Sequence, residues 1–484
     1  MKKVKKTPLL LSGALFAGLL AGCSSAEPET SDVPSTIKVM YYDERAFYQQ
    51  YGMLFAQMYP NIEIEVVSTS NLYRDGETKD YKTLMEEFIE EQQPDILMLS
   101  ADEYAKRASE GKLYNLETFI TKDEFDLEGI APGILDYIKQ QSDGILYGLA
   151  PNFYSQAIFY NKKLFEKHGV TLPEDRMTWE QLLQLAARFP TTGDKEDRVY
   201  GLRASYQTDL YNFGMTIGAT QGLTYINPST MQLSINSDSW KAVYEMADRA
   251  MKSETLYEED PNGFMGGSYE EYLMSNPFIG GKVAMSIDSN YVMDQIKEAQ
   301  KMLPDKIDID WDIVTVPVNP QNPEESSGMS VHQIFAINAN TANPEAAWKF
   351  VGYINGDNFA RVTSKLQSGG FPSRTKYLEN PDGKNIAAFY SLKPMVNTLY
   401  KDYEKIPQGF HMQFGGMAQQ EFQAVKDGNA TIAEALDNLQ VKGQQLLTEE
   451  AQKAGQSEAD SGSASGGAAT ESSSESSETV VITE

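Results

Sequence analysis

The feature that most constrains the fold is a regular alternation of strand and helix patterns near the start of the chain. Ile37–Tyr41 has the composition of a short strand, Glu44–Met58 carries apolar residues at helical spacing, and Ile62–Val66 alternates apolar and acidic residues. A second helical stretch at about Asp80–Gln92 precedes an apolar strand at Asp95–Leu99. Strands that alternate with helices form parallel sheets with right-handed crossovers. The sequence therefore predicts an α/β fold of mainly parallel sheets flanked by helices.

Ligands of parallel α/β sheets bind beyond the carboxyl ends of the strands. Tyr41, Tyr42, Asp43 and Glu44 follow the first predicted strand, and Asp102 follows the third. We expect one or more of these side chains to contact a ligand. The alternative is a capped helix start, in which the Asp43 carboxylate accepts backbone N–H groups of the helix that follows.

Further along the chain, helix starts carry strong local signals. Thr178 and Thr431 each open a capping box, in which a side chain at the helix start and one three residues later both bond the backbone. Asn343 precedes a proline, which suits the first position of a helix. Glycines recur at every fourth position from Gly214 to Gly222, but the polar residues between them exclude a membrane helix. That spacing indicates close backbone packing or a loop.

The N-terminus resembles the signal peptide of a bacterial lipoprotein. Lysines precede an apolar segment, Leu9–Leu20, that is too short to span a bilayer comfortably. Leu20-Ala21-Gly22-Cys23 resembles the motif at which such chains are cleaved and lipidated. This resemblance implies removal of residues 1–22, acylation of Cys23, for example with palmitate, and anchoring at the extracytoplasmic face of the cell membrane. The alternative is an ordinary secretory signal with a chance cysteine.

Two segments lack the apolar periodicity of a folded domain. Residues 23–35 are rich in Ser, Glu, Pro and Thr, and they are predicted to form a flexible tether. Residues 455–484 are rich in Ser, Gly, Ala and Glu and contain no basic residue. We predict that they form a disordered acidic tail.

Composition and motifs exclude several classes of function. The formal net charge of −28 disfavours nucleic acid, which needs a basic surface. No zinc-ligand spacing, GxSxG, Walker or GxGxxG motif is present, so we predict no catalytic residue, no cofactor and no metal. Asp308, Asp310 and Asp312 share one face of a predicted strand, where a solvated face is favoured over a calcium site. Acidic chains always offer carboxylate pairs, so a secreted carbohydrate-active enzyme remains an alternative.

Five segments, in order, resemble the extracellular solute-binding proteins (family 1) of ABC importers, the group that includes maltose-binding protein. They lie at Pro94–Leu97 with Gly111–Leu116, at Tyr147–Pro151 with Phe159–Phe165 and Thr178–Glu180, at Gly280–Met285, at Asn343–Phe350 and at Gly428–Leu436. The resemblance covers about residues 37–447. It departs from the family at Asn152–Ser155, which matches no pattern that names a sugar.

The resemblance implies the type II periplasmic-binding fold, in which two discontinuous α/β lobes close over one solute. The first lobe would comprise residues 36–149 and 317–370, and the second residues 150–316 and 371–454. Phe371 lies at the expected third crossing between lobes, beside glycines that suit a hinge, and is a candidate ligand contact.

The resemblance also implies that a monomeric protein captures a sugar or oligosaccharide and delivers it to the permease subunits of an ABC importer. The alternatives are a binder of another solute, such as a peptide or an amine, and a ligand sensor for a membrane receptor.

Further candidate contacts follow from the family alignment. Tyr154, with Ser155 beside it, matches a position that contacts ligand in the family. Asp288, Asn290 and Tyr291 follow the Gly280–Met285 segment, and Tyr291 falls where the family often presents a stacking aromatic ring. Aspartates beside aromatic rings suit neutral sugars. They would repel uronates unless an arginine offsets their charge, and the predicted cleft loops contain little Arg.

Overall fold

The computed structural model describes residues 34–72, 81–131, 133–192, 194, 198–204, 209–259, 266–365, 370–380, 382–396, 399 and 403–464. Cys23, the signal peptide, most of the tether and residues 465–484 of the tail lie outside the described residues. Within the described part, no helix is both long enough and apolar enough to cross a membrane.

Strands and helices alternate along the described chain. The strands are β1 (Ser35–Tyr41), β2 (Ile62–Ser68), β3 (Ile96–Leu99), β4 (Gly148–Leu149), β5 (Asn152–Asn161), β6 (Tyr200–Arg203), β7 (Ile226–Asn227), β8 (Gln232–Leu233), β9 (Val283–Ser289), β10 (Trp311–Thr315), β11 (Glu325–Ser326), β12 (Met329–Ser330), β13 (Ile334–Ile337), β14 (Phe371–Pro372) and β15 (Lys393–Pro394).

The α-helices are α1 (Glu44–Phe47), α2 (Met53–Met58), α3 (Tyr81–Gln92), α4 (Ala101–Ser109), α5 (Glu117–Lys122), α6 (Ile134–Gln140), α7 (Lys162–His168), α8 (Trp179–Ala186), α9 (Leu210–Thr220), α10 (Asp238–Lys252), α11 (Tyr269–Ser275), α12 (Tyr291–Met302), α13 (Pro344–Ile354), α14 (Asp357–Thr363), α15 (Gln408–Lys426) and α16 (Ile432–Ala464). Tyr48–Gly52 forms a π-helix between α1 and α2.

The chain divides into two compact units. The first is Met1–Leu97 with Asn340–Phe350, and the second is Met98–Ala339 with Val351–Glu484. These bounds differ from the lobes expected from the family resemblance, 36–149 with 317–370 and 150–316 with 371–454, which remain a prediction.

The first unit contains parallel strands in the order β2-β1-β3. β1 lies in the middle, so its side chains are largely buried, whereas β2 alternates buried isoleucines with exposed glutamates. Phe350 packs against Phe47 and Phe55, with ring centroids 5.6 and 5.1 Å apart. The predicted alternation of strands and helices at this end of the chain is confirmed.

The main sheet of the second unit has the order β10-β5-β9-β6. β5 runs antiparallel to β10 and β9, and β6 runs parallel to β9. The first half of β5 pairs instead with β12 and β14. The carboxyl ends of β6 and β9 and the beginning of β5 therefore share one edge of this part of the molecule.

Helix packing in the second unit explains the glycine repeat. A Cβ atom built at Gly214 would lie 2.1 Å from the Tyr244 ring, and one at Gly218 would lie 2.3 Å from Trp240. Both rings belong to α10 and are buried. Gly214 and Gly218 thus let α9 and α10 approach closely, which confirms the close-packing interpretation.

Several helices begin at the capping residues that the sequence predicted. The capping box of Thr178 forms as predicted, and α13 begins at Pro344. Thr431 exchanges hydrogen bonds with Glu434 at the start of α16. That helix ends at Ala464, ten residues into the segment predicted to be disordered. Helix formers at residues 450–454 lead into this segment, and Gln456, Glu458 and Ala459 favour helix within it despite two glycines and three serines.

A buried arginine joins distant parts of the second unit. Arg374 is 2% exposed, and its Nε donates to the Asn355 carbonyl at 2.8 Å. Its Nη1 lies 3.0 Å from an Asp126 carboxylate oxygen and 3.1 Å from one of Asp357. Lys376 also pairs with Asp357, at 2.8 Å, but is half exposed. The guanidinium replaces its lost hydration with several oxygen partners, as a buried charge requires.

Candidate functional site

The first unit places aromatic side chains at the carboxyl end of β1. Tyr41 is fully buried, and its hydroxyl donates to Gln50 Oε1 at 2.7 Å. Tyr42 is 40% exposed, and its ring centroid lies 4.4 Å from that of Tyr41. Gln50 Nε2 donates to the Tyr42 hydroxyl at 3.3 Å. Of these two predicted contacts, Tyr42 presents its ring to solvent, and Tyr41 and Gln50 support it from behind.

Asp43 and Glu44 belong to the helix that follows. Asp43 Oδ1 accepts the backbone N–H of Ala46 at 2.8 Å, so this carboxylate caps α1, as the alternative interpretation holds. Glu44 is exposed in the first turn, where a negative charge is favourable. Ser68, at the end of β2, donates to the Tyr42 carbonyl at 3.0 Å. Ser68 ends a parallel strand, so the expectation that ligands bind beyond the carboxyl ends of strands applies to it as well.

Asp102 is exposed in the first turn of α4, directly after β3. That helix begins with a capping box in which Ser100 Oγ accepts the Glu103 N–H at 3.3 Å and Glu103 accepts the Ser100 N–H at 2.8 Å. Burial, with a smaller contribution from the Asp102 charge, raises the pKa of the Tyr137 hydroxyl. Asp102 therefore sits at a strand end, on a well-capped helix, with its side chain in contact with solvent.

Tyr154 and Ser155 lie on β5 where β12 pairs with it. Tyr154 is 39% exposed, and its ring centroid lies 5.3 Å from that of His332. The Oγ of Ser330 is 2.9 Å from His332 Nε2. Ser155 is buried. Tyr154 thus presents an accessible ring, and His332 is a neighbour that the sequence did not reveal because it lies far away along the chain.

Strand register brings Asn290 and Tyr291 to the same edge as Tyr154. Gln156 of β5 pairs with Ser289, the last residue of β9. Tyr154 precedes Gln156 by two residues on β5, so it lies beyond the end of β9, where Asn290 leads into α12. These three predicted contacts therefore occupy one edge of the second unit.

Tyr291 belongs to a row of tyrosines on α11 and α12. Its side chain is 59% exposed, and a hydrogen bond with Tyr272 raises its pKa. The rings of Tyr269 and Tyr272 stack with centroids 5.8 Å apart. Tyr269 donates to Glu298 at 2.6 Å, which raises the pKa of Tyr269 to about 12. The hydroxyls of Tyr269 and Tyr291 therefore remain protonated at neutral pH.

Asp288 lies in a buried ion-pair network rather than at the surface. Asp288 is 2% exposed, and Arg203 Nη1 contacts its two oxygens at 3.0 and 3.2 Å. Ser286 Oγ donates to the same carboxylate at 2.5 Å. Arg203 Nε donates to Glu259 at 2.5 Å. The expected contact between Asp288 and a ligand is not supported by this burial, because its oxygens are already occupied by protein donors.

Phe371 lies in the core. It is 9% exposed and pairs with Phe153 in the β14–β5 ladder. Its ring centroid is 5.5 Å from that of Phe153 and 4.8 Å from that of Phe389. Because aromatic rings contact Phe371 on two sides, its side chain packs in the core. The structure therefore does not support the expected contact between Phe371 and a ligand. The crossing between lobes expected at this position remains a prediction, and the burial of Phe371 could not be read from the glycines beside it.

The aspartate run pairs with lysines. Each carboxylate has its own cation: Asp308 with Lys163, Asp310 with Lys384 at 3.9 Å, and Asp312 with Lys162 at 3.1 Å. Burial raises the pKa of Asp312, but hydrogen bonds from the Asn385 and Ile313 N–H groups, together with Lys162, outweigh it and lower the pKa. Across the described residues, no group of three or more His, Cys, Asp and Glu side chains could hold a metal ion.

Each unit, taken by itself, carries accessible aromatic side chains that suit recognition of a polyhydroxylated molecule. Tyr42, Tyr154 and Tyr291 expose aromatic rings, which can stack on the apolar face of a sugar. Polar side chains lie close to these rings: Gln50 at Tyr42, His332 at Tyr154 and Tyr272 at Tyr291. Such groups can exchange hydrogen bonds with the hydroxyl groups of a sugar.

The sequence model of one protein family, described as bacterial extracellular solute-binding protein, matches residues 30–358. A binding protein of Brucella abortus (strain 2308) is 28% identical over 262 residues, which are 52% of this chain and 57% of that protein. The match thus spans little more than half the length of this curated relative.

Solved structures resemble more of the chain. The sugar-binding protein MalE of Xanthomonas citri superposes with a TM-score of 0.59 at 14% identity, covering 86% of this chain and 98% of that one. The ABC substrate-binding protein Lmo0181 of Listeria monocytogenes, solved with cycloalternan, gives 0.54 at 20% identity and covers 85% and 98%. At these identities the likeness shows a shared two-lobed α/β fold.

Proposed function

Because the chain belongs to the family of bacterial extracellular solute-binding proteins, we propose that it captures a sugar or oligosaccharide outside the cytoplasm and delivers it to the permease of an ABC importer. The observation that carries the saccharide assignment is the edge of the second unit where exposed Tyr154 and Tyr291 lie beyond the end of β9. Two accessible rings at one strand edge offer stacking surfaces for a ring-shaped, hydroxyl-rich solute. The printed descriptions of the similar structures, a sugar-binding protein and a complex with cycloalternan, support the same class of ligand.

Capture would use the two lobes expected from the family resemblance. Residues 36–149 with 317–370 would form one lobe, and residues 150–316 with 371–454 the other. The solute binds between them and shifts the protein towards its closed form, by no more than its difference in affinity for the two forms. The closed form then docks on the permease subunits. The protein would act as a monomer, without catalytic residues or a cofactor.

Acylation at Cys23 would tether the protein to the outer face of the cell membrane. Removal of residues 1–22 makes Cys23 the first residue of the mature chain, and residues 23–35 would separate the anchor from the folded body. Two or more acyl chains hold a protein stably on a bilayer. Mass spectrometry of the N-terminal peptide tests this step: a diacylglyceryl adduct on Cys23 supports it, and an unmodified or absent Cys23 contradicts it.

A thermal-shift screen tests the binding function. The full-length protein, purified in mild detergent, is heated with maltose, maltotriose, D-mannitol, amino acids and short peptides in separate samples. A ligand that binds only the native state raises the melting temperature in a saturable way. A shift with a saccharide or polyol supports the proposal. A shift with a peptide or amino acid alone keeps the family role and overturns the carbohydrate assignment.

A further inference from the structure

Two buried arginines, one at each end of β6, pair with accessible glutamates. Arg198 precedes the strand and its Nη1 lies 2.9 Å from Glu254, while Arg203 ends the strand and its Nε lies 2.5 Å from Glu259. The arginine side chains are 6% and 3% exposed, and the glutamate side chains are 55% and 28% exposed. The two pairs have the same chemistry, a buried guanidinium that holds a more accessible carboxylate.

The pairs lie at opposite ends of the strand. The segment that follows α10 runs parallel to β6, with the Gly201 N–H donating to Thr255 O and the Tyr257 N–H donating to Leu202 O, each at 2.9 Å. Glu254 therefore stands at the amino end of β6 and Glu259 at its carboxyl end. Ligands of α/β sheets bind at carboxyl ends of parallel strands. The two glutamates therefore differ in position: Glu259 lies at the end of the strand where ligands bind, and Glu254 lies at the opposite end.

The network around Arg203 also distinguishes Glu259 from Asp288. Both Asp288 oxygens accept hydrogen bonds from Arg203, one of them also accepts from Ser286, and the residue is 2% exposed. Glu259 shares the same guanidinium through Nε, yet more than a quarter of its side chain is accessible. Of these acidic side chains, Glu259 is the one that can reach a solute without breaking the network.

We propose that Glu259 is a solute-contacting residue, whose carboxylate accepts hydrogen bonds from solute hydroxyls while Arg203 holds it in place. The inference rests on the proposed function, since it assumes a saccharide at this edge. Among the described residues, Arg203 pairs with the two carboxylates of Asp288 and Glu259, and the formal charges of these three groups sum to −1. An excess negative charge beside the solute selects neutral or amino sugars and disfavours uronates, because like charges repel at short range.

Isothermal titration calorimetry on the full-length protein in mild detergent tests the assignment. The titrant is whichever of maltose, maltotriose and D-mannitol gives the largest thermal shift. Removal of a charge-assisted hydrogen bond predicts that Glu259→Ala weakens binding about ten- to a hundredfold. Glu259→Gln keeps an acceptor without the charge, so its affinity should fall between those of wild type and Glu259→Ala.

Glu254→Ala is the matched control, because it breaks the equivalent ion pair at the other end of β6. Its dissociation constant should stay within about twofold of wild type, because Glu254 lies at the amino end of β6, away from the proposed contact. Melting temperatures recorded in parallel report any loss of stability in either variant. Equal losses of affinity in both variants, or no loss in Glu259→Ala, would overturn the inference while leaving the proposed function standing. If the wild-type protein binds none of the three probes, the carbohydrate function and this inference fall together.

Discussion

Alanine at Gly214 should destabilise the second unit by overfilling the contact between α9 and α10. The new Cβ would lie 2.1 Å from Tyr244 Cε1, whereas carbon atoms pack at about 3.5–4.0 Å, so the ring or the helix must move by roughly 1.5 Å. Tyr244 is fully buried, and its ring stacks on that of Phe422 with centroids 4.2 Å apart. The neighbours therefore block the movement that would relieve the clash.

Two opposing contributions set the size of the effect. Alanine favours a helix over glycine by about 1 kcal/mol, while overfilling a packed core costs about 1–3 kcal/mol. A displacement of this size against a buried ring places the cost near the upper end, so the net loss should be about 2 kcal/mol. Gly416→Ala in α15 supplies the control, because nothing lies within 4 Å of its Cβ position. That variant should gain about 1 kcal/mol.

Urea unfolding followed by far-ultraviolet circular dichroism measures both changes as shifts in the free energy of unfolding. Since both variants gain the same helix propensity, their difference of about 3 kcal/mol isolates the overfilling cost. If Gly214→Ala proves as stable as Gly416→Ala, the reasoning about the contact between α9 and α10 is refuted.

Further predictions concern charge and binding. Arg374→Met should cost about 2–3 kcal/mol of stability in the same urea assay, because a buried cation and its hydrogen bonds are lost. The control is Lys376→Met, which should cost under about 1 kcal/mol because Lys376 is half exposed. Equal costs in the two variants would contradict the account. The lowered pKa of Asp312 means that its charged form stabilises the fold above the ordinary value of 3.8, and this contribution is lost as pH falls through the lower folded pKa. Unfolding midpoints measured from pH 6 to pH 2 should therefore decline less steeply in Asp312→Asn, and an unchanged slope would count against this role. Tyr291→Ala should weaken saccharide binding by about 1–2 kcal/mol in calorimetry through loss of a stacking surface, and an unchanged dissociation constant would remove Tyr291 from the site.

Local patterns were sufficient for the elements and much of their order. The strands around Tyr41 and Leu99 and the helix starts at Thr178 and Pro344 depend on residues close together in sequence, so periodicity and capping chemistry identify them. The π-helix at Tyr48–Gly52 was not predicted. Apolar spacing over five residues does not distinguish it from an ordinary helix, because its hydrogen bonds span only one residue more.

The candidate site was harder to predict, since its members come together through the fold. The family alignment located Tyr154 and Tyr291, and the structure places both at one accessible edge. The family alignment could not reveal that the Asp288 carboxylate is enclosed by Arg203, a residue on another strand. Burial depends on such long-range partners, so a polar residue after a strand can be either a ligand contact or part of an ion pair.

Equilibrium titration of the full-length protein with maltotriose, followed by chromatography of the recovered sugar, tests the central claim most directly. The account predicts saturable binding of one saccharide per chain and recovery of the sugar intact, with maltose or D-mannitol as the next titrant if maltotriose is too large for the site. Binding of a peptide or amino acid in place of every saccharide, or cleavage of the recovered sugar, would contradict the claim that this chain is a saccharide-binding protein.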